Sequence, residues 1–173
     1  MRSARDLDPA ETVEWMAKSF EIDAAAGRLF WKIAPKGHPR MLGKEAGAAR
    51  RGQSGKSYWH IKKLTLPIKR SWLIFLWCNG CWPTECVDHI DGNSLNDSES
   101  NIREATVTQN AWNHHKRSRR IDLPMGVRVL PSGRFQARLS VNGKQRHLGS
   151  FATTDQASAA YLAERKEAYG EFA

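Results

Sequence analysis

Apolar positions along the first seventy residues change period several times. Val13, Met16, Ala17 and Phe20 recur at helical spacing, which predicts an amphipathic helix running up to Phe20. Phe20-Glu21-Ile22-Asp23, a small-residue turn ending at Gly27, and Leu29-Phe30-Trp31 then read as a β-hairpin. From Ala34 to Ser57 large apolar residues are few and Gly, Pro and Arg are many, so irregular backbone or short strands are expected. Tyr58 to Ile68 returns to strand, with Trp59, Ile61 and then Leu64, Leu66 and Ile68 on alternating positions. Ser71 to Asn79 predicts a buried helix, with Ser71 as a possible cap and Gly80 at its end.

In the second half, Val87 to Ile90 predicts a short strand and Asp91 to Asn101 a polar loop. Thr106-Val-Thr-Gln109 fits a capping box, in which hydroxyl and carboxamide each satisfy an orphan backbone donor at a helix start. That helix runs into His114-His115-Lys116-Arg117-Ser118-Arg119-Arg120, and Pro124 marks a break. Gly126 to Leu130, Arg134 to Val141 and Lys144 to Phe151 read as three strands, with turns at Pro131-Ser-Gly133 and Asn142-Gly143. Thr153 or Thr154 caps a final helix carrying Ala157, Ala160, Tyr161 and Ala168 on one face. The class is α+β. The expected segments are a β-rich region 1–68, a core 69–117, a basic linker 118–124 and a three-strand-plus-helix module 125–173.

Charge narrows the choice of partner. The chain has 173 residues, 27 Lys and Arg against 18 Asp and Glu, and a formal net charge of +9. Such an excess attracts a polyanion, nucleic acid first of all, because phosphates draw Lys and Arg whatever the base sequence. Trp72 to Cys78, the longest apolar run, is far short of the roughly 18 residues that span a bilayer. The charged N-terminus (Arg2, Arg5, Asp6, Asp8) does not read as a signal peptide. Three cysteines at 78, 81 and 86 do not form a disulfide framework. A soluble, reduced, cytoplasmic protein is therefore expected, with no membrane and no obligatory protein partner. Cys78, Cys81, Cys86 and His89 also have the look of a zinc knot, but Cys78 and Cys81 bracket a helix end and no second Cys pair follows. Free thiols are the preferred reading, and most of the seven Trp read as core.

The sharpest feature is Val87-Asp88-His89-Ile90-Asp91-Gly92-Asn93, followed by Asn101-Ile102-Arg103-Glu104-Ala105-Thr106 and Gln109-Asn110. Phosphodiester hydrolysis needs a base for water and a cation for charge building on the phosphate. Asp supplies a hard anionic ligand for Mg²⁺ or Mn²⁺, and an Asn carbonyl oxygen a neutral one. An imidazole, here that of His89, suits the base. Asp91, Gly92 and Asn93 are loop-formers.

These residues resemble the HNH homing endonucleases of phage type, whose shared core is a β-β-α-metal fold. The match covers Cys86 to Asn113, and the Trp77…Gly80…Trp82-Pro83 segment before it also fits. The resemblance implies Asp88 and Asn110 as metal ligands, His89 as general base, and Asn101 as the residue that fixes the His89 ring. It leaves His114, four residues beyond Asn110, either a further ligand or part of an exposed basic helix end. Where relatives carry His-Arg at the start of the preceding helix, this chain has Lys69-Arg70.

On the predicted middle strand of the last module, Arg134, Gln136, Arg138 and Ser140 alternate with Phe135, Ala137, Leu139 and Val141. Period two puts the apolar set under the helix and the polar set on an open face. Arg128, Gln145 and His147 are expected to join that face. Such a face is either plainly solvated or a DNA reader, with Arg on guanine and Gln on adenine. Gly126-Val127-Arg128, Gly133-Arg134-Phe135, Leu148-Gly149-x-Phe151 and Ala157-x-x-Ala160-Tyr161 resemble the ethylene-response-factor type of DNA-binding domain. That resemblance implies DNA-facing roles for Arg128, Arg134 and Arg138. Ser132, Ser140 and His147 stand where plant relatives have Trp or Arg. The run Lys116, Arg117, Arg119, Arg120 is a solvated linker that would also track phosphates. The expectation is thus a double-stranded DNA endonuclease using Mg²⁺ or Mn²⁺. Its alternatives are a non-catalytic DNA-binding regulator on a retired nuclease core and a zinc-stabilised nucleic-acid chaperone.

Overall fold

A computed structural model describes residues 3–52, 55–63, 65–113 and 123–173. The chain separates into two compact units, Met1–Asn110 and Ala111–Ala173. In the first, helix α1 (Pro9–Ser19) opens where Asp8 accepts a hydrogen bond from the Glu11 backbone at 2.8 Å and Pro9 takes the first helical position. The chain turns directly into the antiparallel hairpin β1 (Phe20–Asp23) and β2 (Arg28–Trp31), Phe20 opposite Trp31. Its turn explains Gly27. With φ at +67°, a Cβ there would sit 2.1 Å from the carbonyl carbon of Asp97, so the turn and the later polar loop touch at backbone level.

Strands β3 (Ala48–Arg51), β4 (Ser57–Lys63) and β5 (Leu66–Lys69) form an antiparallel sheet in that order. The single strand expected over Tyr58–Ile68 is thus a hairpin. The apolar positions shift phase there, from Trp59 and Ile61 to Leu64, Leu66 and Ile68 across Lys62-Lys63, and Pro67 is tolerated because β5 is an edge strand. Helix α2 (Arg70–Asn79) starts one residue earlier than expected. Lys69 is its cap and Ser71 lies inside, while Gly80 ends it in left-handed conformation at φ 71°. Strands β6 (Cys86–His89) and β7 (Ile102–Ala105) pair antiparallel and lead into α3 (Val107–Trp112). The expected capping box is present: Thr106 and Gln109 exchange backbone-to-side-chain bonds at 2.8 and 3.1 Å.

One core unites the segment before Lys69 with α2, β6 and β7. Met16, Phe20, Leu29, Ile61, Ile68, Leu73, Ile74, Val87 and Ile102 are buried together. The tryptophans rim it instead of filling it. Trp59 and Trp82 keep their indole N–H on the carbonyls of Ala46 and Leu7, at 2.7 and 2.8 Å.

In the second unit, β8 (Val127–Val129), β9 (Phe135–Val141) and β10 (Lys144–Phe151) form an antiparallel sheet with β9 central. Asn142 and Gly143 both take positive φ, as a two-residue hairpin turn requires. Thr153 caps α4 (Thr154–Tyr169), its hydroxyl accepting from the Gln156 backbone at 3.2 Å. Ala157 and Tyr161 of this helix bury against Val127, Ala137 and Leu139, the apolar face the alternation predicts. Among the described residues, no helix is long and apolar enough to cross a membrane.

Candidate active site

Alternation along β6 sends neighbouring side chains to opposite faces, so Asp88 and His89 meet different surroundings. His89 is 7% exposed, and its Nε2 lies 2.8 Å from Asp97 Oδ1. A carboxylate can only accept, so Nε2 carries the proton that points at Asp97. Asp97 is 2% exposed, and its other oxygen accepts from Arg70 Nε at 2.8 Å. Arg70, itself buried, also donates to Glu45 Oε1 at 2.5 Å and to the Leu95 carbonyl at 3.2 Å, and stacks 4.7 Å over the Trp59 ring. A planar fork with oxygens on three sides fixes Asp97 from behind, which a flexible ammonium could not do. Lys69 lies 4.1 Å above the Tyr58 ring, whose centroid is 6.5 Å from that of His89. Burial pulls the Lys69 ammonium below its ordinary range, opposed by Cys86 and Asp97.

Asp97 supplies a hydrogen bond that orients the His89 ring, and the Asn101 carboxamide bonds within the loop. It donates to Asp91 Oδ1 at 3.0 Å and to the Asn96 carbonyl at 2.7 Å, and accepts from the Asp91 backbone at 3.0 Å. Asn101 thus closes the 91–101 loop around Asp97. Burial works to raise the Asp91 carboxyl, yet bonds from Asn96, the Asn93 backbone and Asn101 hold it below its usual range.

On the other face of the strand, Asp88 is 3% exposed, and its Oδ2 receives Arg103 Nε and Nη2, each at 3.0 Å. Arg103 is its cross-strand partner in the β6–β7 register. Cys86 shares the Asp88 face. Its thiol donates to the Ala105 carbonyl at 3.0 Å, and it is raised by burial against the opposing hydrogen bond from the Asn110 side chain. The Asn110 carboxamide therefore lies beside the face that carries Asp88. Among the described residues, no three His, Cys, Asp or Glu side chains gather to hold an ion. A carboxylate and a carboxamide nonetheless fit Mg²⁺, which prefers hard oxygens and few protein ligands, keeping waters and phosphate oxygens for the rest.

Cys78 and Cys81 are exposed, and the Cys78 thiol faces Glu99 at 3.5 Å. His114, Lys116, Arg117, Arg119 and Arg120 lie outside the described residues.

On the second unit's sheet, Arg128 and Gln136 are register partners on the open face, and Arg128 Nε donates to the Gln136 carboxamide. Gln136 is therefore 9% exposed, not displayed as the alternation implies. Arg138 reaches Gln145 at 3.3 Å, and Arg134 donates to the Ser150 carbonyl at 2.6 Å.

Sequence reasoning missed Asp97, Arg70 and Arg103 as parts of the site. Only Arg70 had a signal, as the retained half of the dipeptide that opens the preceding helix.

A buried histidine–carboxylate pair backed by arginine thus lies beside a strand pair that carries a second buried carboxylate. The chain is 31% identical over 127 residues to an uncharacterised HNH endonuclease of Acanthamoeba polyphaga mimivirus, the match covering 68% of this chain and 66% of that protein. It is thus a homologue of a protein named as an HNH endonuclease, a likeness that supports a nuclease function in general. The chain spans about two thirds of that relative's length. No family model matches, and no solved structure does.

Proposed function

We propose that the chain is a metal-dependent HNH endodeoxyribonuclease of the homing type, with double-stranded DNA as its substrate. The observation that carries the reading is the Arg70–Asp97–His89 relay on the strand that also presents Asp88. With Nε2 held by Asp97, His89 Nδ1 takes a proton from the attacking water. The resulting imidazolium is stabilised by the Asp97 carboxylate, which Arg70 keeps aligned. Asp88 and Asn110 would hold Mg²⁺ or Mn²⁺, with His114 as a possible third ligand. A bound ion would neutralise charge on the phosphate and the leaving oxygen. The resemblance implies 5′-phosphate and 3′-hydroxyl ends. The ethylene-response-factor-like module would target the chain through Arg128, Arg134, Gln136 and Arg138. Lys116, Arg117, Arg119 and Arg120 would follow phosphates, and the host cytoplasm is the proposed setting.

The test is incubation with Mg²⁺ and supercoiled plasmids carrying candidate insertion sites. His89→Ala is expected to slow nicking by about 10²–10⁴-fold with DNA binding nearly intact. Unchanged cleavage by a folded His89→Ala protein removes the histidine as base. The second reading, a non-catalytic DNA-binding regulator, is favoured by one observation, the Arg103 guanidinium engaged on Asp88. Wild-type protein that binds the plasmids but never nicks them, with either metal, would select it.

A further inference from the structure

The second unit holds a concave notch whose helix side none of the proposed roles uses. Strand β8 begins opposite Ala137 while β9 runs on to Val141, so among the described residues the β9 edge from Leu139 to Val141 has no strand neighbour on the β8 side. Arg128 and Arg138 line this notch from the sheet, Arg165 and Tyr169 from α4, with a cavity volume of about 390 Å³. Arg128, Arg138 and Arg165 thus all border one hollow.

Arg165 is the unusual member. It is 6% exposed, yet among the described residues it has no carboxylate partner. Its Nη2 donates to the Trp112 carbonyl at 2.7 Å and its Nη1 faces the Met125 sulfur at 3.1 Å, a poor acceptor. Its Nε is buried with no hydrogen-bond partner among the described residues. Burying a cation so incompletely served is costly, and such groups are ordinarily paired. Around it, the Tyr169 hydroxyl donates to the Ser140 carbonyl, and the exposed Ser140 and Gln145 form the rim. A tetrahedral oxyanion suits the hollow: it accepts from several N–H groups at once, and guanidinium matches its geometry.

We propose that this notch is a phosphate site that receives one backbone phosphate of DNA, with Arg165 at its base. Arg165 lies on the helix and outside the residues assigned to base reading. The proposal rests on the second unit docking on DNA. Its contact positions the duplex and carries no sequence information.

The experiment uses the full chain and measures duplex affinity across a salt series. Arg165→Gln should weaken binding about tenfold on every duplex and reduce the slope of log K against log salt by about 0.9, leaving target preference unchanged. Ser140→Glu, an exposed rim substitution that threatens folding less, should do the same by placing a carboxylate at the notch. In a second arm, inorganic phosphate alone is titrated while fluorescence is followed from Trp112, which stacks on Tyr169 at 4.6 Å beside the notch. A response in the wild type that Arg165→Gln and Ser140→Glu both abolish supports an anion site even if the chain binds no duplex, in which case the DNA reading fails and the occupant is a free phosphate compound. Folded variants with an unaltered salt slope overturn the DNA occupant. If the wild type is also indifferent to inorganic phosphate, the site itself is overturned.

Discussion

At the scale of single residues, the position that decides the proposed chemistry is Asp97, and nothing in its local sequence singles it out. It sits in a polar loop without periodicity, and its partners His89 and Arg70 are 8 and 27 positions away. Asp88 and His89 could be read because strand alternation and the spacing to Asn101 and Asn110 constrain them together. That the Asn101 carboxamide bonds the loop was not legible, since carboxamides bond loops and rings equally well and spacing does not distinguish the two. The geometry predicts a divided effect for Asp97→Asn. Arg70 keeps only Glu45 as a charged partner, which should cost about 3 kcal/mol of stability, measurable by denaturant unfolding. Nicking should slow by about 10²-fold or more, because the amide neither secures the Nε2 tautomer nor stabilises the imidazolium. A change in the pH profile of cleavage separates this role from mere loosening. An Asp97→Asn protein with the wild-type rate and profile would exclude Asp97 from the mechanism.

At the scale of elements, legibility followed the strength of local signals. Helix α1, the β1–β2 hairpin, the Thr106–Gln109 box and the turn at Asn142-Gly143 each carry a cap, a glycine or a clean period. The β4–β5 turn carries none, and α2 begins without a side-chain cap, its first residue held by tertiary bonds from Arg70. The 91–101 loop was legible as a loop but not as a device. Its shape depends on Asp91 being ionised, so that Asn96, Asn101 and the Asn93 backbone can donate to it. Because the folded carboxyl is held below its ordinary value, the stability it contributes is present above that value and lost as pH falls through the folded one. Thermal stability of the wild type should therefore drop in acid, below about pH 4, more steeply than that of Asp91→Asn. Coincident acid limbs for the two proteins would show that the carboxylate does not hold the loop.

At the scale of the whole molecule, the two units carry separate sets of buried residues. Met16, Leu29, Ile61, Leu73 and Ile102 belong to the first, and Val127, Ala137, Leu139, Ala157 and Tyr161 to the second. Among the described residues, neither set contains a residue of the other unit. Every described residue of the Arg70–Asp97–His89 relay, with Asp88 and Arg103, lies in the first unit. The sheet arginines and the Arg165 notch lie in the second. Chemistry and targeting should accordingly come apart on truncation. A chain lacking residues 125–173 is expected to unfold cooperatively, because its core is intact, and to retain slow Mg²⁺-dependent nicking of plasmid DNA. It should lose preference among candidate sites, and its salt slope should fall by about 0.9 for each phosphate contact removed. Equal site preference with and without the module would assign recognition to the first unit, where Arg50 and Arg51 stand exposed on β3. Loss of all nicking from a truncated chain that still melts cooperatively would mean that the relay needs the second unit to act.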